Sequence, residues 1–247
     1  MHCTKLGIGH HVIGKGLVFL ATERAYIWRG PAVSVELPRD AAFSDVLDDL
    51  NLRFKDWLKD HGLECSHKRF TPLRVRRAEA TSTPYYACKA SQCVPLVSRL
   101  ASMAHEYSEV CPAEKRAEAR IVAGMLWGLS RYFNICKTSD RCFTPGPVRD
   151  LDEAAHTFLH LYSELRRMSA ERDSHMWHIV PKFHQFQHIV LDACEDSYNP
   201  RFFHCFSDED QVGRLITLAA AAHPITVVAT SIGLYIVAMA RRIKLFR

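Results

Sequence analysis

Glycine and proline are scarce, 11 of each in 247 residues, which excludes collagen-like and low-complexity chains. There is no glycine-rich phosphate loop: Gly7, Gly9, Gly14 and Gly16 lack both the spacing and the Lys-Ser/Thr ending. No His-Glu-x-x-His pattern supplies a metalloprotease base, and no internal repeat is visible. An export signal is missing too. His10, His11 and Lys15 interrupt the apolar run from Leu6 to Ala21, and no small-residue cleavage site follows it. Strand signals are few: Pro31 to Leu37 alternates briefly, and Arg201 to Phe206 reads as a short extended piece.

What is present is ordinary globular composition, 48% hydrophobic, 24% charged and 10% aromatic. At this length one domain, or two small ones, can bury most of its apolar side chains. The 32 Lys and Arg against 27 Asp and Glu leave +5, a mildly basic balance that admits nucleic acid without requiring it. The nine cysteines are an odd number without tight repeated spacing. With no export signal, they read as thiols of a reduced, intracellular protein.

The expected fold class is mainly α: a helical array with at most a few short strands. From Ala41 to His61 the residues Phe43, Val46, Leu47, Leu50, Phe54, Trp57 and Leu58 fall at steps of three and four, one buried stripe on a helix that Gly62 stops. Val94 to Tyr107 repeats the pattern, with Pro95 in a first-turn position. Pro112 opens a third helix, and a fourth follows the breaker Thr144-Pro145-Gly146-Pro147. Pro181 to Cys194 makes a fifth, and Ser207 caps a sixth. The least structured region runs from Leu63 to Ala90, the expected surface excursion.

Several constellations bear on chemistry. His156 with His160, and His184 with His188, are four apart on helices, and His175 with His178 three apart. Such pairs can face one metal ion. Without further ligands they read as half-buried structural histidines. Cys65, His67, Cys88 and Cys93 are a possible zinc set, but Cys65 and His67 are too closely spaced for a standard knuckle. Lys68, Arg69, Arg74, Arg76 and Arg77 sit in Ser66 to Arg77 with no acid among them, a candidate phosphate-neutralising loop. From Leu215 to Ala240 no side chain is charged, and Arg241, Arg242, Lys244 and Arg247 follow. That meets the length and flank of a membrane anchor, although Pro224 divides the stretch into two buried helices. Ser207-Asp208-Glu209-Asp210 places three carboxylates at a helix start, where acids offset the dipole.

The two ends of the chain carry a resemblance. Met1 to His11, with Met1-His2 and Leu6-Gly7, resembles the strand-to-helix motif of ribonuclease-H-fold DNA transposases. Pro181 to His188 resembles their Lys-x-His-x-x-x-His helix. Asn199-Pro200-Arg201, Cys205-Phe206 and Glu209 to Gly213 resemble the segment that carries their last catalytic carboxylate. Mobile-element-associated protist reading frames show a similar start and a similar Asn-Pro-Arg tail. The resemblance implies incomplete ribonuclease-H-like ends around a helical insertion: a partial core over 1–34, the insertion over 35–174, and a C-terminal helical segment over 175–247. It implies DNA as partner, Mg²⁺ as cofactor and Glu209 as the vestigial catalytic and metal-binding residue.

The family's other carboxylates would lie upstream of Met1, in a missing N-terminal portion of the parent protein. One carboxylate cannot neutralise a two-metal site. The expectation is therefore a catalytically inactive C-terminal fragment of a transposase-like protein, intracellular and by that kinship nuclear. The alternatives are a helical binding or scaffold module without chemistry, and a membrane protein anchored by 215–240.

Overall fold

The computed structural model describes residues 3–28, 39–76, 83–174 and 176–202, with scattered positions between 220 and 237. Residues 1–202 form one compact unit and 203–247 a second. The fold is mainly helical, and among the described residues no strand occurs beyond one isolated bridge, Cys142 to Tyr198. A π-helical turn, Cys3–Ile8, leads into α1 (Gly9–Trp28). Then come α2 (Arg39–Asp60), α3 (Ala90–Val110), α4 (Ala113–Thr138), α5 (Pro145–Glu171) and α6 (Lys182–Glu195), followed by a 3₁₀ turn, Pro200–Phe202.

Helix α1 is the central element. Every residue from Val12 to Ala21 is buried, so it is apolar on all sides and α2 and α3 pack against it. The chain then proceeds as antiparallel neighbours, α3 on α4, α4 on α5 and α5 on α6. Finally α6 returns to the π-helical turn at the start. The expected stripes supply the contacts. Val46, Leu47, Leu50, Phe54 and Leu58 are buried on α2, and Val122, Met125, Leu129, Tyr132 and Phe133 on α4. Between α4, α5 and α6 the filling is aromatic: Tyr132 meets Phe186 at 4.9 Å between ring centroids, and Tyr162 meets Phe183 at 4.2 Å.

Several expectations need correction. Pro95 does not open α3 but lies in its second turn, because the helix starts at Ala90. Gln92 explains the earlier start: its Oε1 accepts the Lys89 N–H at 2.9 Å, while its Nε2 donates to the Ser66 carbonyl at 2.8 Å. The breaker 144–147 is the first turn of α5, with proline where no intrahelical N–H is needed. Residues 3–8 are helical rather than a strand, and 200–202 form a 3₁₀ turn rather than an extended piece. The segment 63–76 has no regular structure yet is anchored, with Phe70 and Val75 buried in it and Tyr86 donating its hydroxyl to the Lys68 carbonyl at 2.7 Å. The alternating piece 31–37 and the Ser207 cap lie outside the described residues.

The Asn-Pro-Arg tail has a structural task. Asn199 is fully buried, and its Nδ2 donates to the carbonyls of Cys136, Ser139 and Asp140 at 3.0, 3.2 and 3.1 Å. Its Oδ1 accepts the Arg201 N–H at 3.0 Å, and the Arg201 guanidinium reaches the Lys137 carbonyl at 2.6 Å. The two side chains thus close the C-terminus of α4, whose last carbonyls have no intrahelical donor. Asn199→Ala is expected to cost about 2–3 kcal/mol in urea denaturation, since several buried acceptors lose their donor. Asn199→Asp should cost more, because a carboxylate has no proton to give those carbonyls.

Candidate functional site

The polar groups concentrate where α1 begins. Gly14 permits it: a Cβ there would stand 2.5 Å from the backbone nitrogen and Cα of Tyr85, so the strap 83–89 lies directly on the helix. Gly9 likewise leaves room for the Cys93 sulfur, with which its Cβ would collide. Across this contact the Tyr86 N–H donates to the His10 carbonyl at 3.0 Å. The His10 ring holds the strap at two points. Nδ1 lies 2.6 Å from the Tyr85 hydroxyl and Nε2 lies 2.7 Å from the Cys88 carbonyl. One proton assignment satisfies both, with Tyr85 donating to Nδ1 and Nε2 donating to the carbonyl.

One turn further along, Lys15 is fully buried. Its Nζ donates to the Tyr162 hydroxyl and to the His178 carbonyl at 2.8 Å, and lies 3.4 Å from His178 Nδ1. The Tyr162 hydroxyl also donates to the His178 carbonyl, at 2.8 Å. These acceptors are neutral, so no opposite charge offsets the loss of water around the ammonium, and burial pulls its pKa from 10.5 to about 7. Burial, with Lys15 and His178 nearby, lowers His11 to about 4. An amine poised near neutrality is a competent base or nucleophile, but Lys15 presents no surface to a solute. Its place in this fold is structural.

On the other side of His10, Cys88 and Cys93 take the positions before and after the first turn of α3. The neighbouring Cys93 thiol, with a contribution from His10, outweighs burial and lowers Cys88 to about 6. The Cys88 interaction and burial together push Cys93 up.

Comparison with protein-family models, curated proteins and solved structures finds no match.

The basic loop residues are placed as follows. Lys68, Arg69, Arg74 and Arg76 are all exposed on the anchored segment 63–76. They are not equivalent. Arg69 is paired in bidentate fashion with Asp48 on α2, and Arg76, at φ 52°, stacks its guanidinium 4.5 Å from the Tyr85 ring centroid. Arg77 and Glu209 lie outside the described residues. Among the described residues no group of three His, Cys, Asp or Glu gathers to hold a metal. Of the zinc set, His67 instead bonds the Asn51 side chain at 2.9 Å, while Cys88 and Cys93 turn to each other. Glu209, the Mg²⁺ ligand that the resemblance implies, and the acids beside it lie outside the described residues.

His156, His160, His184 and His188 are exposed rather than half-buried. His184 and His188 bring their Nε2 atoms to 3.0 Å. No described helix is long and apolar enough to cross a membrane, and most of 215–240 lies outside the described residues. In the second unit, Val228, Ile232 and Ile236 are helical and exposed.

Sequence reasoning did not single out the cluster at the start of α1. The signal was there in Lys15, a cation at the centre of an apolar run flanked by glycines. Such a position marks either a helix turned partly to water or a buried amine with internal partners.

Proposed function

We propose that this chain is a transposase-like, nucleic-acid-associated helical protein that binds DNA through its 63–76 loop and carries out no strand cleavage by itself. One observation carries the reading. Two of the described segments that bear the resemblance, the π-helical turn leading into α1 and helix α6, are far apart in sequence and adjacent in space. Lys182, the lysine of the Lys-x-His-x-x-x-His pattern, lies against Gly7 of the opening Leu-Gly pair. The same proposal keeps Glu209 as the vestigial carboxylate that the resemblance implies.

The loop's four cations differ in how freely they can meet phosphate. Lys68 and Arg74 stand at the surface of a segment that buried Phe70 and Val75 hold in place. Arg69 already faces Asp48, which neutralises it in part. DNA binding by the full chain is expected to weaken steeply with salt. Lys68→Ala with Arg74→Ala should reduce the slope of log K against log salt by roughly two, one for each phosphate no longer neutralised. Arg69→Ala should change it less. Fluorescence anisotropy on a labelled duplex at several salt concentrations measures both. An affinity that the double substitution leaves untouched removes the loop from the interface.

A second reading, a helical binding module without nucleic acid, is favoured by one feature. Between α3 and α4 lies a groove of about 960 Å³ lined by Ser98, Ser102, His105, Trp127 and Ser130 among others. Trp127 is 51% exposed there, with the Arg131 guanidinium, 5.3 Å from its ring centroid, set over the indole.

A further inference from the structure

We propose that Cys88 and Cys93 form a dithiol site that a small hydroperoxide oxidises, with Cys88 as the attacking sulfur and Cys93 as the resolving one. This stands apart from any DNA role of the chain. The two thiols take the position before the Lys89 N-cap and the fourth position of α3, the pair whose side chains pack against each other at a helix start. Cys88 ends the strap and is partly open to solvent, while Cys93 is one turn into the helix and fully buried. An accessible first sulfur with a sheltered second one in contact is the arrangement that stepwise oxidation requires.

The contact is enforced from both sides. Helix α1 presses on Cys93 through Gly9, leaving that sulfur no room to retreat. His10 holds the Cys88 carbonyl at 2.7 Å, and the Tyr86 N–H beside it is fixed to the His10 carbonyl at 3.0 Å. The surroundings also favour a thiolate on Cys88. The neighbouring Cys93 thiol, the nearby imidazole and the positive end of the α3 dipole all stabilise negative sulfur. Three of the other described thiols are less suited to attack, since burial raises Cys65 and Cys194 and pushes Cys136 up to about 12.

The chemistry balances. The Cys88 thiolate attacks the terminal oxygen of the hydroperoxide and breaks the O–O bond. The departing alkoxide takes a proton and leaves as alcohol, or as water when the oxidant is hydrogen peroxide, and Cys88 becomes a sulfenic acid. Cys93 then attacks the Cys88 sulfur and displaces hydroxide, which leaves as water with the Cys93 proton. Two thiols have given up two electrons to one hydroperoxide, and the product is a disulfide joining the strap to α3.

The test uses the full chain, treated with equimolar hydrogen peroxide at neutral pH, then alkylated, digested and mapped by mass spectrometry. Cys88 and Cys93 are expected to disappear first from the alkylated set, replaced by a linked species lighter by two hydrogen atoms. In a C93S chain the reaction should stop at Cys88 sulfenic acid, trapped as its dimedone adduct. The map of the parent chain decides the matter whether or not C93S folds. If Cys88 and Cys93 are both still alkylated once the oxidant is consumed, or if Cys65 or Cys142 reacts ahead of them, the proposal is overturned.

Discussion

A Lys15→Met chain is expected to be more stable than the parent near pH 7 and to lose much of that advantage as the pH approaches 10. In the folded state Lys15 titrates at about 7, and once unfolded it returns to the ordinary 10.5. Between those values the unfolded chain binds a proton that the folded chain has released. Raising the pH through this window therefore favours folding, and lowering it to about 7 removes that stability. Below the window both states hold the proton, so the contribution stays lost and does not grow. The slope within the window is about 1.4 kcal/mol per pH unit for one proton, so the full span is on the order of 5 kcal/mol.

Methionine matches the lysine stem and carries no charge, so it removes the slope along with the desolvation cost. It also leaves His178 Nδ1 without the Lys15 amine, while Tyr162 keeps its hydrogen bond to the His178 carbonyl. That loss is worth about 1 kcal/mol, less than the ammonium's cost at neutral pH. Cys88, lowered to about 6 from 9.0, adds a slope of the same sign between those values, while the thiols that are raised in the fold, Cys93 and Cys136 among them, add one of opposite sign above 9. The decisive quantity is the difference between the two chains, from urea denaturation at several pH values. Parallel pH profiles for parent and variant would show that Lys15 keeps its proton in the fold.

Why Lys15 escaped a reading of the sequence, when most helices did not, has a physical answer. Helices α2, α4, α5 and α6 each bury one face, so their apolar residues recur at helical spacing and disclose both the element and its inner side. Helix α1 is buried all round from Val12 to Ala21, and a stretch without a polar face has no period to detect. Its one buried cation is satisfied by Tyr162 and His178, contacts that only folding creates. Arg69 is the same case on the surface. In the sequence it belongs to a run of cations, and in the fold it answers Asp48, 21 residues earlier. The start of α3 was hidden for a different reason, since the Gln92 cap that moves it to Ala90 overrides the usual meaning of Pro95.

The four glycines of the first sixteen residues, which match no phosphate loop, lead to the other large effect. Gly14→Ala is expected to destabilise the fold by about 3 kcal/mol or more, whereas Gly16→Ala should be neutral or stabilising by up to about 1 kcal/mol. Both sites are in α1, where alanine is the better helix former, so propensity favours both changes equally. What differs is the neighbour. At Gly16 the added methyl would meet Leu100 and Leu126 at 3.6–3.7 Å, ordinary contact that fills space. At Gly14 it would stand 2.5 Å from the Tyr85 backbone, which has no rotamer to change. The strap must lift by about 1 Å, straining the Tyr86 to His10 bond and both contacts of the His10 ring. Overpacking of about 1–3 kcal/mol plus weakened buried hydrogen bonds exceeds the propensity gain. Denaturation of the two single variants measures the contrast directly. Equal shifts at 14 and 16 would mean that the strap does not rest on α1, and the seating of Cys88 beside Cys93 would lose its support along with it.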